Sequence, residues 1–391
     1  MANNTDYVKV LYDENYSDVA LSSTILTIIG GIVGVLGNGS VIICYFFRIK
    51  DRGERYFIPV LAVVDLVACI TGSIFYVMDN TFFFNYPYDL MCRLLIFLQL
   101  LVPAISASLL LIISVQRYLL VCKPHGPRMT LRWKRISIGV TCLFTLTYSA
   151  PVLAISGIKT SYETFQNYTV QIKVCKFSTA ETSVQNTAYL GFLLMLSIII
   201  ILITMSLFVP VLKTIKLSFF GKFRSGRKAS EHRNTPLNTD SVSATDIELG
   251  KYEGKNPEIQ IKKKSSSISG IYRSSSLIDD LDNNKPVNTF TTKDSEKTRM
   301  EKATRKITIM LFVIIAAYVL SYIPSLITLI VIYADDDLNI GTGSISRESA
   351  FVFIYFARFV FLNHIVNPFI YSYFDEKFRT ELRKLFTHTT L

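Results

Sequence analysis

The sequence predicts an all-α membrane protein, a bundle of seven transmembrane helices followed by an amphipathic helix on the membrane surface. Three observations predict it. Half of the 391 residues are hydrophobic and only 18% are charged, an imbalance that points to a lipid environment. Nearly uncharged stretches at 24–47, 57–78, 94–121, 136–155, 188–212, 307–333 and 350–373 each match the roughly 30 Å that a helix must cover to cross a hydrocarbon core. Lysine and arginine collect in alternate loops, as they do on the cytoplasmic side of membrane proteins.

The organisation expected from this pattern is an amino-terminal segment at 1–23, spans one to five at 24–212, a long inner loop at 213–306, spans six and seven at 307–373, and a surface helix with a short tail at 374–391. The amino-terminal segment is polar and acidic and shows no cleavable leader, so the first span is expected to act as its own insertion signal. Arg48, Lys50, Arg52 and Arg55 follow span one, and Lys123, Arg128, Arg132, Lys134 and Arg135 follow span three. Those loops are therefore inside and the amino terminus is outside. The Asn-x-Ser/Thr triplets at Asn3, Asn15 and Asn167 fall in segments assigned outside, where they would carry N-glycans, whereas Asn38 lies within span one and is discarded. Net charge is +11, but the basic residues sit mostly in inner loops, which suits anionic membrane lipids better than nucleic acid.

Topology sorts the six cysteines. Cys44, Cys69, Cys122 and Cys142 fall in spans or at their inner ends. Only Cys92, at the outer end of span three, and Cys175, between spans four and five, face the oxidising side, so these two are expected to form a disulfide.

From about 218 to 299 the chain is rich in Ser, Thr, Asn, Asp and Lys, and the apolar period is lost, which predicts disorder. Basic residues just before serines, as at Ser230, make this loop the expected substrate of kinases and, through them, the contact for arrestin. After span seven, Phe374, Phe378, Leu382, Leu385 and Phe386 recur at helical spacing, the pattern of a helix lying along the membrane.

Polar residues inside the spans are costly there and hence candidates for function. Asp65 lies midway along span two, with Asn38 in span one, Ser106 in span three, and Asn363 and Asn367 in span seven. One carboxylate with neutral oxygen donors suits a sodium ion at Asp65 and Ser106. It equally suits a hydrated network whose protonation changes with conformation. Pro324 and Pro368 interrupt spans six and seven, each removing a backbone hydrogen bond and permitting a kink.

Gly37-Asn38, Asp65 in a Leu-Ala-x-x-Asp setting, Cys92 with Cys175, Gln116-Arg117-Tyr118, Pro324, and Asn367-Pro368-x-x-Tyr371 together resemble the rhodopsin-like (class A) G-protein-coupled receptors over all seven spans. The resemblance implies a receptor, not an enzyme, with no cofactor except sodium as an allosteric modulator. Gln116, Arg117 and Tyr118 would then face a heterotrimeric G protein, with Tyr322, Pro324, Asn367, Pro368 and Tyr371 moving on activation. It further implies a sodium pocket at Asp65, Ser106, Asn363 and Asn367. A seven-helix channel or transporter is the competing reading from another class; it predicts internal repeats, which the sequence lacks.

Departures from the family pattern matter. Gln116 stands where an acid usually restrains the arginine, and Thr304 supplies no acid from span six, which predicts raised basal signalling or an altered restraint. Tyr322 replaces a common tryptophan, and the sole tryptophan, Trp133, is placed in the loop before span four. Phe361 in span seven leaves no lysine for retinal, and Gln99 in span three leaves no aspartate for an amine. Gln99, Tyr322, Arg358 and Phe361 are the expected pocket residues. Arg358 has two readings of equal weight, binding a ligand carboxylate or pairing with Asp79. A neuropeptide is the expected ligand, with a small organic acid or lipid as the alternative.

Overall fold

The structure is a computed structural model that describes residues 9–10, 17–49, 53–165, 168–177, 184–231, 289–334 and 347–387. Its contacts divide the chain into two units, residues 1–220 with 298–391, and residues 221–297. In the second unit the described residues are the helical ends at 221–231 and 289–297.

In the first unit, α1 (Ser17–Ile43) continues into a π-helical turn at Cys44–Arg48, and a short 3₁₀ turn at Gly53–Arg55 leads into α2 (Phe57–Thr81). Helix α1 begins before the apolar stretch because Asp18 suits the positive end of the helix dipole and Val19 and Ala20 are already buried. Helix α3 (Asp89–Cys122) carries Pro103 in its interior. Helix α4 (Leu131–Ser149) is capped by Thr130, whose Oγ1 accepts from the Trp133 amide at 3.5 Å, so Trp133 lies in the first helical turn and not in the preceding loop.

The outer loop that follows contains an element the sequence reading missed, an antiparallel hairpin of β1 (Gly157–Phe165) and β2 (Tyr168–Lys176). Val170, Ile172 and Val174 are buried at alternate positions of β2. Two anchors hold it. Cys175 is disulfide-bonded to Cys92 on α3, and Lys173 exchanges backbone hydrogen bonds with Phe84 and Tyr86 at 2.8 and 2.9 Å. At the start of β1, Gly157 packs so close to Asp89 and Arg93 that a Cβ would meet them at 2.7 and 3.0 Å. Asp89 Oδ1 accepts from the Ile158 amide there at 2.8 Å.

Helices α5 (Val184–Glu231) and α6 (Thr289–Ala334) run beyond the expected spans into the segment predicted to be disordered. Extending an existing helix needs no new nucleus, so polar residues continue it where the apolar period has stopped. Residues 232–288 lie outside the described residues, as do Asn3, Asn15 and Asn167.

Among the described residues six helices are long and apolar enough to cross a membrane. The seventh span is in two pieces, α7 (Arg347–Ala357) and α8 (Val360–Phe374), and not the single helix expected. A side chain of α6 bridges the break: the Ser325 hydroxyl donates to the Phe356 carbonyl at 3.1 Å and accepts from the Val360 amide at 3.2 Å, while the Phe356 carbonyl also accepts from the Phe359 amide at 3.2 Å in a tighter turn. Pro324 and Pro368 lie inside α6 and α8.

Helix α9 (Glu376–Thr387) is the amphipathic segment. Its Phe378 is buried and stacks on Tyr45 with ring centroids 5.9 Å apart. A hydrogen bond and ion pair from Lys306 hold the exposed Glu376 carboxyl below the usual glutamate range. The core of the inner half gathers Leu61, Leu110, Ile113, Met310, Ile314 and Tyr371. Leu21, Leu36, Val140, Leu143, Leu202 and Leu320 are exposed instead, the distribution expected where the outer solvent is lipid.

Candidate functional site

Polar and aromatic residues gather at three depths of the bundle. Towards the outer side, a cavity of about 300 Å³ opens between the helices, lined by residues of α2 to α8. Gln99 and Tyr322 line it, and Tyr322 links α6 to α3 by donating to the Pro103 carbonyl at 3.2 Å. Tyr318 packs on Tyr322 with centroids 4.4 Å apart. No Lys, Arg, Asp or Glu lines the cavity among the described residues.

Two expected pocket residues lie beside the cavity and not on its wall. Phe361 packs into the space that Gly72 and Gly30 leave open, and meets Tyr76 edge-on at 5.7 Å. Arg358 is engaged already. Its Nη2 donates to Asp79 at 2.9 Å, its Nη1 to Ser23 Oγ at 2.5 Å, and its guanidinium lies 4.9 Å from the Tyr76 ring centre. The geometry therefore realises the ion-pair reading of this arginine.

At mid-depth, Asp65 is fully buried. Its Oδ1 accepts from His364 Nδ1 at 2.8 Å and from Ser106 Oγ at 3.4 Å, and its Oδ2 accepts from Asn367 Nδ2 at 2.7 Å. Of the other expected members, Asn38 donates to the Gly34 and His364 carbonyls instead, at 3.0 and 2.9 Å. Asn363 is buried with both side-chain polar atoms unpaired among the described residues. A hard cation requires oxygen ligands facing it. Here an imidazole N–H and an amide N–H take the carboxylate, while the Oδ1 atoms of Asn38, Asn363 and Asn367 are buried without a partner among the described residues.

At the inner end, Arg117 is completely buried. Its Nη1 donates to Glu54 Oε2 and its Nη2 to the Glu54 backbone carbonyl, both at 2.8 Å. Glu54 Oε1 accepts from Thr304 Oγ1 of α6 at 3.1 Å. The acid that pairs with Arg117 thus comes from the turn before α2. Tyr371 and Pro368 are buried on α8, while Tyr118 is half-buried on the edge of the core.

The family profile described as "7 transmembrane receptor (rhodopsin family)" matches residues 37–371. The chain belongs to that family. The receptor is 30% identical over 135 residues to the RYamide receptor of Drosophila melanogaster, an alignment covering 32% of this chain and 28% of that one. It is 29% identical over 147 residues to cephalotocin receptor 1 of Octopus vulgaris, covering 37% of each. These alignments span well under half the length of those relatives. The fold matches the crystal structure of squid rhodopsin with a TM-score of 0.60 at 15% identity, over 95% of this chain and 87% of that one. Membership makes the protein a multi-pass signalling receptor and not an enzyme, and removes the channel reading.

The sequence reading missed Glu54, His364 and Ser325 of the receptor's polar contacts. His364 left a signal, a titratable side chain inside an apolar span three residues before Asn367. Glu54 lay hidden in a loop read only for its positive charge.

Proposed function

We propose that this receptor sits in the plasma membrane with its amino terminus outside, binds an extracellular neuropeptide in the cavity between its helices, and activates heterotrimeric G proteins through Arg117. The observation that carries the ligand class is the uncharged wall of the cavity. An ionised group buried there would lose its hydration with no opposite charge to receive it, and the nearest cation, Arg358, is held by Asp79 and Ser23. That disfavours a small organic acid. Aromatic rings with Gln99 and Tyr322 at hand suit an apolar or aromatic peptide side chain, with hydrogen bonds fixing its orientation. Relatives named as receptors for tachykinin-like peptides in Drosophila melanogaster and, putatively, for neuropeptide Y in Homo sapiens, 28% and 29% identical over about a third of this chain, support the same ligand class.

Activation would run from the cavity floor to the inner face. A ligand pressing on Tyr322 works beside Pro324, where α6 lacks a backbone hydrogen bond and bends most readily. Bending there moves the inner end of α6, which carries Thr304. Kinases and arrestin would act through the long inner loop.

The test measures G-protein dissociation in cells expressing the wild type or Arg117→Ala, challenged with a neural peptide extract before and after protease digestion. A response that is lost on digestion and absent from Arg117→Ala supports the proposal. A protease-resistant response moves the ligand to the lipids, which an apolar cavity also suits, and a full response in Arg117→Ala refutes the coupling role.

A further inference from the structure

Arg117 has no exposed side-chain surface, whereas Glu54 of the pair is 31% exposed, so the carboxylate is the solvent-facing member. A guanidinium in this condition is closed to any cytoplasmic partner. Both of its Nη atoms are occupied by one residue, once by the side chain and once by the main chain.

The turn that presents Glu54 is held on both flanks. Gly53 adopts φ +44°, a left-handed conformation that favours glycine, immediately before Glu54. Lys134 of α4 donates to the Gly53 carbonyl at 3.3 Å. On the other side Arg55 Nε donates at 2.6 Å to Asp375, a buried carboxylate that also accepts from Tyr45 Oη at 2.5 Å. Two anchors thus fix a turn of three residues, and the middle residue is the one that covers Arg117. Its second carboxylate oxygen is held by Thr304, so a single side chain joins the first inner loop, α3 and α6.

We propose that Glu54 is an autoinhibitory latch. Its carboxylate and carbonyl occupy the Arg117 contacts that a G protein needs, and Thr304 makes the latch sensitive to the position of α6. Withdrawal of α6 removes one of the latch's hydrogen bonds, and an incoming partner with acceptors for the two Nη atoms replaces the rest. The latch also accounts for Gln116, since an acid beside Arg117 is dispensable where the loop supplies one. This inference rests on the reading that Arg117 is the G-protein contact.

The experiment measures basal G-protein dissociation per receptor at the cell surface, with heterotrimers of the four Gα classes and no ligand. Glu54→Gln keeps the shape and removes the charge, and is expected to raise the basal signal about three- to tenfold, the factor that one charge-assisted hydrogen bond supplies after allowance for partial exposure. Thr304→Val leaves the ion pair intact and is expected to raise the signal about two- to threefold, so it tests the latch should Glu54→Gln fail to reach the surface. Adding Gln116→Asp to Glu54→Gln returns a carboxylate to Arg117 and lowers the signal again, which a merely structural role for Glu54 would not produce. Basal signals at or below wild type in both single variants, with Arg117→Ala reducing coupling, overturn the latch and spare the Arg117 reading. If Glu54→Gln/Arg117→Ala signals as strongly as Glu54→Gln, the Arg117 reading fails and the latch fails with it.

Discussion

Arg358 and Asp79 offer the sharpest separation of a structural from a ligand-binding role. Their side chains are 12% and 25% exposed and lie 2.9 Å apart. Two unit charges about 4 Å apart attract by about 4 kcal/mol in an effective dielectric of 20, and loss of hydration offsets most of that, leaving a net coupling of about 1–2 kcal/mol. Asp79→Ala removes more than the coupling, because Arg358 stays behind with only Ser23 and the Tyr76 ring as partners. The expected loss is about 2–3 kcal/mol, below the figure for a fully buried pair because water still reaches both groups. At roughly 2 °C per kcal/mol for a chain of this size, the midpoint of thermal unfolding falls by about 5 °C. The assay heats purified receptor in detergent with a thiol-reactive dye, which reports unfolding when the buried Cys44 and Cys69 become accessible. Asp79→Ala/Arg358→Leu removes both charges and is expected to recover about half of the loss. If Asp79→Ala melts within 1 °C of wild type, or the double variant is no better than the worse single, the pair is not a stabilising contact. Retained stability with an abolished ligand response in Arg358→Gln would return Arg358 to the binding site.

Asp375→Asn keeps the acceptor for the Lys377 and Phe378 amides but loses the charge opposite Arg55. It is expected to loosen α9 by about 1.5–3 kcal/mol, seen as faster amide hydrogen exchange there, and unchanged exchange would contradict the buried anchor. Replacing both Cys92 and Cys175 by Ser releases a link across 83 residues of chain and should cost about 2–4 kcal/mol, read as a lower melting temperature and reduced surface expression. Because His364 and Asn367 take the Asp65 carboxylate, basal signalling is expected to be indifferent to replacing extracellular sodium with N-methylglucamine. His364→Ser, which puts an oxygen donor in place of the imidazole, should introduce sodium dependence, and a sodium effect in the wild type would refute the reasoning.

The spans were legible because crossing a bilayer is a demand on length and composition, both written locally. Cys92 and Cys175 were legible for a related reason, since sidedness alone separates them from Cys44, Cys69, Cys122 and Cys142. What the sequence concealed was partnership at long range. Gln99 and Tyr322 line the cavity, whereas Arg358 and Phe361 face Asp79 and Gly72 on α2 beside it. The hairpin had a local signal in the alternation of Val170, Ile172 and Val174, a short one beside spans of twenty or more residues. The division of the seventh span had no local signal at all. Arg358-Phe359 is not a helix-breaking pair, and the hydroxyl that bridges the break belongs to a serine 31 residues away from Phe356.

On the proposed activation route, that serine is where the leverage would sit. Ser325 and Val360 both line the cavity, and the Ser325 hydroxyl is a pivot shared by α6 and the broken span. From Ser325 to Thr304 is 21 residues of helix, an arm of about 32 Å at 1.5 Å per residue. A rotation of about 5° at the pivot therefore carries the inner end through nearly 3 Å, comparable to the 3.1 Å hydrogen bond between Thr304 and Glu54. On the proposed activation route, a bend of that size would be enough to part Thr304 from Glu54, and the broken span shares the hydroxyl at which the bend would begin.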